Sequence, residues 1–247
     1  MKGKGKLPQR LSMKIVIVNG ESHKGSTYHI ARQIADKVAA IMPGSEIDEI
    51  WLPRDLPEFC CGCAKCVTDS EKSCPHYKYM EPLTRRVDAA DLLILESPVY
   101  VFHVSGAMKA FLDHYAYRWM LHRPDGSKFT KQAVCVTTAA GGGMRSAIKD
   151  MRDSLRWWGY TKIYSYGKAV AAVNWDGVSK RKKRGIERDT DELAEKIAAD
   201  YGNIKPNLRE KLMFGAVRIA QKKGWNKADE GYWRQRGWTG RARPWKK

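Results

Sequence analysis

The sequence predicts an α/β protein built on one open, doubly wound, five-stranded parallel sheet with helices on both faces. Three observations carry that prediction. Short apolar runs recur along the chain, the pattern of strands covered on both sides. Helical periodicity fills the stretches between them, which is the β-α-β order of crossover connections. Finally, 247 residues at 43% hydrophobic content suffice for one large core, while no run approaches the roughly 20 apolar residues of a membrane span.

Each element follows from its residues. Met13–Asn19 is β-branched, apolar and ended by Asn19-Gly20, a buried strand. Ser26 or Thr27 is expected to cap the next helix, whose Ile30, Ile34, Val38 and Ile41 repeat at helical spacing until Pro43-Gly44. Glu46–Leu52 alternates polar and apolar residues, as an edge strand does. A cysteine-rich loop leads to a helix over Met80–Ala90 and a buried strand over Asp91–Ser97. Ser105–Trp119 reads as a helix, Gln132–Thr138 as a strand, Met144–Trp158 as a helix closed by Gly159, and Thr161–Val173 as the last strand. Lys180–Arg184 marks an exposed linker or loop. Helical patterns over Thr190–Tyr201 and Pro206–Lys223 follow, then an irregular, tryptophan-rich tail. The expected division is a basic arm over 1–12, the sheet domain over 13–203, and a basic C-terminal helical and irregular extension over 204–247.

The net charge of +18 sits at the two ends. Residues 1–12 carry +4, residues 180–247 carry +11, and the middle is close to neutral at +3. Basic ends with interleaved tryptophans suit nucleic acid. The preferred reading is a strap that buries Trp225, Trp233, Trp238 and Trp245 against its own domain or a neighbouring subunit, because free surface tryptophans are a liability. The basic N-terminus is followed by no apolar signal core, so a cytoplasmic location with no membrane association is expected.

Doubly wound sheets bind ligands beyond the carboxyl ends of their strands, and three segments fall there. Asn19–Thr27 runs into a helix start. Ser22, Lys24, Ser26 and Thr27 are its candidate phosphate contacts, through hydroxyl donors, a close backbone approach at Gly25 and the free N–H groups of the helix. A mere helix cap is the plainer account of the same residues. Pro98, Val99, Tyr100, Val101 and Phe102 offer a stiff turn and flat apolar faces for a ring system. Thr138, Ala139, Ala140, Gly141 and Gly142 are small enough for a planar ligand to touch backbone N–H groups. Together these describe a phosphate-tailed aromatic cofactor, and FMN fits best.

On these residues the chain resembles the flavodoxin-like NAD(P)H-dependent FMN reductases, and within them the branch that includes iron–sulfur flavoproteins. The matching motifs are Ser22-x3-Ser26-Thr27, Cys60-x2-Cys63-x2-Cys66, Ser97-Pro98-Val99-Tyr100, Ser105-Gly106-x-Met108-Lys109-x-Phe111-Leu112-Asp113 and the Ala140–Gly143 loop. The resemblance implies strand order 2-1-3-4-5. It implies FMN with its phosphate at Ser22, Ser26 and Thr27 and its ring against Pro98–Phe102 and residues 139–143. It also implies a homodimer or homotetramer whose subunits complete each flavin site. One departure stands out: where the family often carries an acid pair past the last cysteine, this chain has His76-Tyr77-Lys78-Tyr79-Met80.

Five of the six cysteines lie within Cys60–Cys74. Clustered cysteines in a reducing compartment point to metal or redox roles rather than disulfides. Cys60, Cys63, Cys66 and Cys74 have the x2, x2, x7 spacing of a [4Fe–4S] ligand set. Zinc on the same thiolates, or reduced thiols walling the flavin pocket, are the other readings. Cys61 is the odd member, and Cys135 is expected to be buried and inert. His23 and His103 are candidates for a proton relay, and Arg118 and Arg123 for NAD(P)H phosphates or for pairing with acids. The expected activity passes a hydride from NAD(P)H through FMN to a small acceptor: a quinone, nitro- or azo-aromatic, free flavin or metal chelate. The flavin carries the chemistry and no catalytic side chain is assigned. The alternative is an iron–sulfur flavoprotein electron carrier that works with ferredoxin-like partners.

Overall fold

A computed structural model describes residues 12–246; the basic arm therefore lies outside the described residues, apart from Ser12. Five strands form one sheet: β1 (Lys14–Asn19), β2 (Glu46–Trp51), β3 (Leu92–Glu96), β4 (Gln132–Ala139) and β5 (Lys162–Ala169). All pair in parallel, in the order β2-β1-β3-β4-β5. β2 is an edge strand, as its alternation predicts. Successive side chains of the central strands face opposite ways. Ile15, Ile17, Leu92, Ile94, Val134 and Val136 pack beneath α1 (Ser26–Ile41) and α6 (Lys180–Asp200). Val16, Val18, Leu93, Leu95, Ala133 and Cys135 pack beneath α3 (Tyr77–Ala89), α4 (Gly106–Asp113) and α5 (Met144–Trp157). Burial on both sides explains why these strands read as unbroken apolar runs. Cys135 is fully buried, and desolvation pushes its thiol up to about 12, so it is inert, as expected.

The structure corrects four local expectations. Neither Ser26 nor Thr27 caps α1: the N-cap residue is Gly25, and among the described residues no side chain caps the helix. Lys180–Arg184 is not a loop but the first turns of α6, capped by the Ser179 hydroxyl. Its buried positions Ile186, Thr190, Ala194 and Ile197 keep helical spacing, so the basic run is simply one end of a helix whose outer face is solvated. The Ser105–Trp119 stretch ends as α-helix at Asp113 and continues as 3₁₀ turns over Ala116–Leu121. The tail is not irregular throughout: beyond α7 (Leu208–Lys222), Lys227–Gln235 forms α8, with Asn226 accepting from the N–H groups of Ala228 and Asp229.

The extension is tied down at several points. Phe214, Trp233 and Trp238 are buried with Phe129, and Trp245 packs against them. Trp233 Nε1 donates to the His122 carbonyl at 2.7 Å, and the Tyr232 hydroxyl donates to the Pro124 carbonyl. Trp225 alone of the four tail tryptophans is well exposed, at 61%. Beside this strap, the fully buried Lys128 donates to the Val87 and Asp88 carbonyls at 2.8 and 3.0 Å. It thereby satisfies the last turn of α3 at the negative end of the helix dipole.

Candidate functional site

The strand order reverses between β1 and β3, and the loops leaving β1, β3 and β4 meet there. They enclose a cleft lined by Ser26, Thr27, Pro98, Val99, Tyr100, Thr138, Ala139 and Ala140, eight of the residues expected from the sequence. Ser22, Lys24, Val101, Phe102, Gly141 and Gly142 do not line it and are exposed at its margins. Lys24 lies 5.4 Å from the Tyr28 ring.

The first loop is built for close approach. Ser26 is buried at the start of α1, and its Oγ has no hydrogen-bond partner among the described residues. Thr27 Oγ1 and Thr138 Oγ1 are 2.7 Å apart, joining the first loop to the third. A Cβ at Gly20 would fall 2.6 Å from the Glu96 carbonyl oxygen, so only glycine fits beneath the second loop. That loop is locked in turn. The Ser105 hydroxyl donates to the Gly20 carbonyl and accepts from Met108 N, while Ser97 Oγ accepts from Ser105 N at 2.8 Å.

Beyond Pro98 the chain makes a two-residue hairpin in which Tyr100 and His103 exchange backbone hydrogen bonds of 2.9 and 3.0 Å. Its tip residues Val101 and Phe102 have φ of 49° and 66°, the left-handed region that side chains other than those of glycine and asparagine avoid. Val101 and Phe102 are 92% and 67% exposed, so a strained turn holds apolar side chains at the rim of the cleft. In the third loop Val99 N donates to the Thr138 carbonyl at 2.9 Å, and Gly143 turns the chain at φ 91°.

Sequence reasoning missed two carboxyls at this site. Glu21 lines the cleft, 3.3 Å from His23 Nε2. Glu96 ends β3, fully buried, and neither oxygen has a partner among the described residues. Burial, and then the neighbouring Glu21, hold the Glu96 carboxyl well above the usual carboxylate range; burial likewise raises Glu21. A charged residue ending an otherwise apolar run, just before Ser97-Pro98, is the signal that could have flagged Glu96.

Other candidates are used structurally. His103 Nδ1 lies 2.9 Å from Asp150 on α5. Buried Arg118 makes two 2.6 Å hydrogen bonds to Asp88. Buried Arg123 donates to the Cys66 carbonyl and lies 3.7 Å from Asp229. Both arginines pair with acids or backbone, the plainer of their two readings. The cysteine motif folds back on itself: Cys60, Cys61, Cys63, Cys66 and Cys74 surround one small cavity together with His76 and His114.

The NADPH-dependent FMN reductase family profile matches residues 13–174, the whole sheet and all three loops. The chain belongs to this family. As a member it is an NAD(P)H-dependent FMN oxidoreductase with FMN as cofactor. It is 27% identical over 204 residues to an iron-sulfur flavoprotein of Archaeoglobus fulgidus, covering 78% of this chain and 86% of that one. To an NADPH azoreductase of Bacillus sp. (strain OY1-2) it is 30% identical over 146 residues, covering 58% and 68%. Among solved structures, an azoreductase from Bacillus anthracis str. Sterne superposes with a TM-score of 0.56 at 12% identity, covering 76% of this chain and all of that one. An FMN-dependent NADH-azoreductase from Bacillus anthracis str. Ames Ancestor, in complex with FMN, gives 0.57 at 11%, covering 75% and 99%. Both likenesses establish the flavodoxin-like fold. Residues 175–247, including α6 and the strap, lie beyond the family match. Among the described residues no helix is long and apolar enough to cross a membrane.

Proposed function

We propose that FMN occupies the cleft at the β1/β3 switch and that the protein passes reducing equivalents from NAD(P)H to a small aromatic acceptor. The observation that carries this reading is the buried Ser26 hydroxyl, which has no partner among the described residues and stands at the uncapped start of α1. A hydroxyl donor beside free helix N–H groups suits a phosphate, and Thr27, Ser22 and Lys24 belong to the same loop. The apolar rim from Pro98 to Phe102 and the small residues Thr138–Gly142 suit a planar ring whose edge meets backbone donors. Bound FMN supplies hydride acceptance and electron return to the acceptor. The protein's own residues hold the phosphate, face the ring and leave one side open at the exposed hairpin tip. Quinones, azo- and nitro-aromatics, free flavin and metal chelates are the acceptor classes such an open apolar rim admits. A homodimer or homotetramer, with a second subunit completing each site, agrees with the strong exposure of the apolar residues Tyr100–Phe102 in a single chain.

The test is direct. Purified protein should carry FMN and oxidise NADH or NADPH faster when a quinone or azo dye is added. A chain that folds but neither retains nor rebinds FMN would sink the proposal.

A second reading, an electron carrier with a [4Fe–4S] cluster at Cys60, Cys63, Cys66 and Cys74 and a ferredoxin-like partner, is favoured by the convergence of these thiols on one cavity. Iron and acid-labile sulfide near four per chain after purification without oxygen would support it. An iron-free, plainly yellow protein would rule it out.

A further inference from the structure

Three side chains with metal-ligand atoms come together outside the flavin cleft, Cys74 and His76 from one turn and His114 from 38 residues beyond His76. Ligand atoms of Cys74, His76 and His114 all lie within 4.8 Å of one another. His76 is the N-cap residue of α3 and His114 the C-cap residue of α4, so the group joins the start of one crossover helix to the end of another. His114 is buried, and its Nδ1 lies 2.7 Å from the Ala110 carbonyl oxygen. Only an N–H makes that a hydrogen bond, so Nδ1 carries the hydrogen and Nε2 the lone pair. That Nε2 is 2.9 Å from His76 Nδ1. An imidazole fixed by a carbonyl through one nitrogen, with the other turned toward a thiol and a second imidazole, is arranged as metal-ligating histidines are. Buried Cys66 lines the same cavity, whereas Cys60, Cys61 and Cys63 are exposed.

We propose that Cys74, His76 and His114, with Cys66 as fourth ligand, hold a single zinc-class divalent cation. Two thiolates and two imidazoles form a tetrahedral zinc set, whereas magnesium and calcium require oxygen donors. Two nitrogens on one tetrahedral zinc stand about 3.3 Å apart, so the His76–His114 contact need open by only a few tenths of an ångström. The cavity holds about 20 Å³, room for one ion or water. On binding, the Cys66 and Cys74 thiols release their protons, and the hydrogen on His76 Nδ1 moves to Nε2. Two thiolates then neutralise the 2+ ion. His76 opens the stretch His76–Met80, where the family resemblance often places an acid pair. The assignment does not depend on the flavin reading. It consumes two of the four thiolates that a [4Fe–4S] cluster would use, so the two metals exclude each other.

The test uses the full-length chain purified without oxygen. Metal analysis should find one zinc and no sulfide-bearing iron, and X-ray absorption at the zinc edge should give a mixed nitrogen and sulfur shell. His114→Ala should weaken zinc binding roughly 100-fold or more, with FMN content and circular dichroism reporting whether the variant is folded. The Cys60→Ser/Cys63→Ser double variant should keep its zinc. Bound iron and sulfide, an all-sulfur zinc shell, affinity no better than adventitious, or zinc lost with Cys60 and Cys63 but kept in His114→Ala would each overturn the proposal. The absorption measurement on the native chain decides even if a variant fails to fold.

Discussion

Ser26 shows how one hydroxyl separates two accounts of the same sequence. A serine ahead of a helix normally caps it, but here Gly25 takes that position and Ser26 Oγ is buried with no partner among the described residues. Leaving such a group unbonded costs about 1–3 kcal/mol, which an anionic ligand oxygen would recover. Ser26→Ala should therefore weaken FMN binding about tenfold, or ~1.4 kcal/mol, in a fluorescence titration, without lowering the Tm of the flavin-free protein. Glu96 gives a pH signature. Its folded-state pKa lies well above the ordinary value of 4.5, so between the two values the native state binds more protons than the unfolded state. Stability then falls as pH rises from the carboxylate range through the folded-state pKa. Glu96→Gln should flatten that decline, and parallel Tm-versus-pH curves for the two proteins would refute the assignment. His114 was missed because Cys74 and His76 reach it only in the folded chain, and Glu96 because its full burial beside Glu21 is likewise a product of the fold.

At the scale of elements, the sheet was legible because strands buried on both faces must be apolar at every position, and the crossover helices because one face of each is periodic. Boundaries were less legible. The start of α6 reads as a linker or loop because Lys180–Arg184 are all charged, yet Lys183 packs its amine 4.9 Å from the Trp175 ring and the apolar positions begin only at Ile186. The Tyr100–His103 hairpin was legible as a site but not as a strained turn. A β-branched residue in the left-handed region costs about 1–2 kcal/mol, and Val101 adopts that conformation. Val101→Gly should raise stability by about 1 kcal/mol, a Tm increase of roughly 2–4 °C. If the turn serves to present an apolar rim, Phe102→Ala should raise KM for aromatic acceptors while leaving Tm nearly unchanged.

For the whole molecule, the C-terminal extension behaves as a strap rather than as a basic arm. Trp233 is fully buried against Phe214 and Trp238 and is anchored through its indole N–H. Asn226 Nδ2 donates to the Val67 carbonyl at 3.0 Å, linking the strap to α2 (Lys65–Thr68) of the cysteine loop. Trp233→Ala should cost about 3–5 kcal/mol, seen as a lowered denaturation midpoint. Removing residues 204–247 should destabilise the sheet domain, because it uncovers Phe129 and frees His122 and Arg123 from Asp229. Salt-sensitive DNA binding lost on that truncation, with no change in Tm, would instead favour the nucleic-acid reading.

The five-stranded α/β architecture and the three loops at the carboxyl ends of β1, β3 and β4 are legible in the residues alone, because strand and helix periodicities are local and parallel crossovers restrict topology. The residues also mark the cysteine cluster as chemical. Which side chains of those loops share a cleft depends on the folded chain, since Thr27 meets Thr138 across 111 residues. Likewise, only the structure brought His114 to Cys74 and His76, because that contact depends on how the end of α4 packs beside the start of α3. Such convergence is long-range packing, which residue spacing along a chain does not encode.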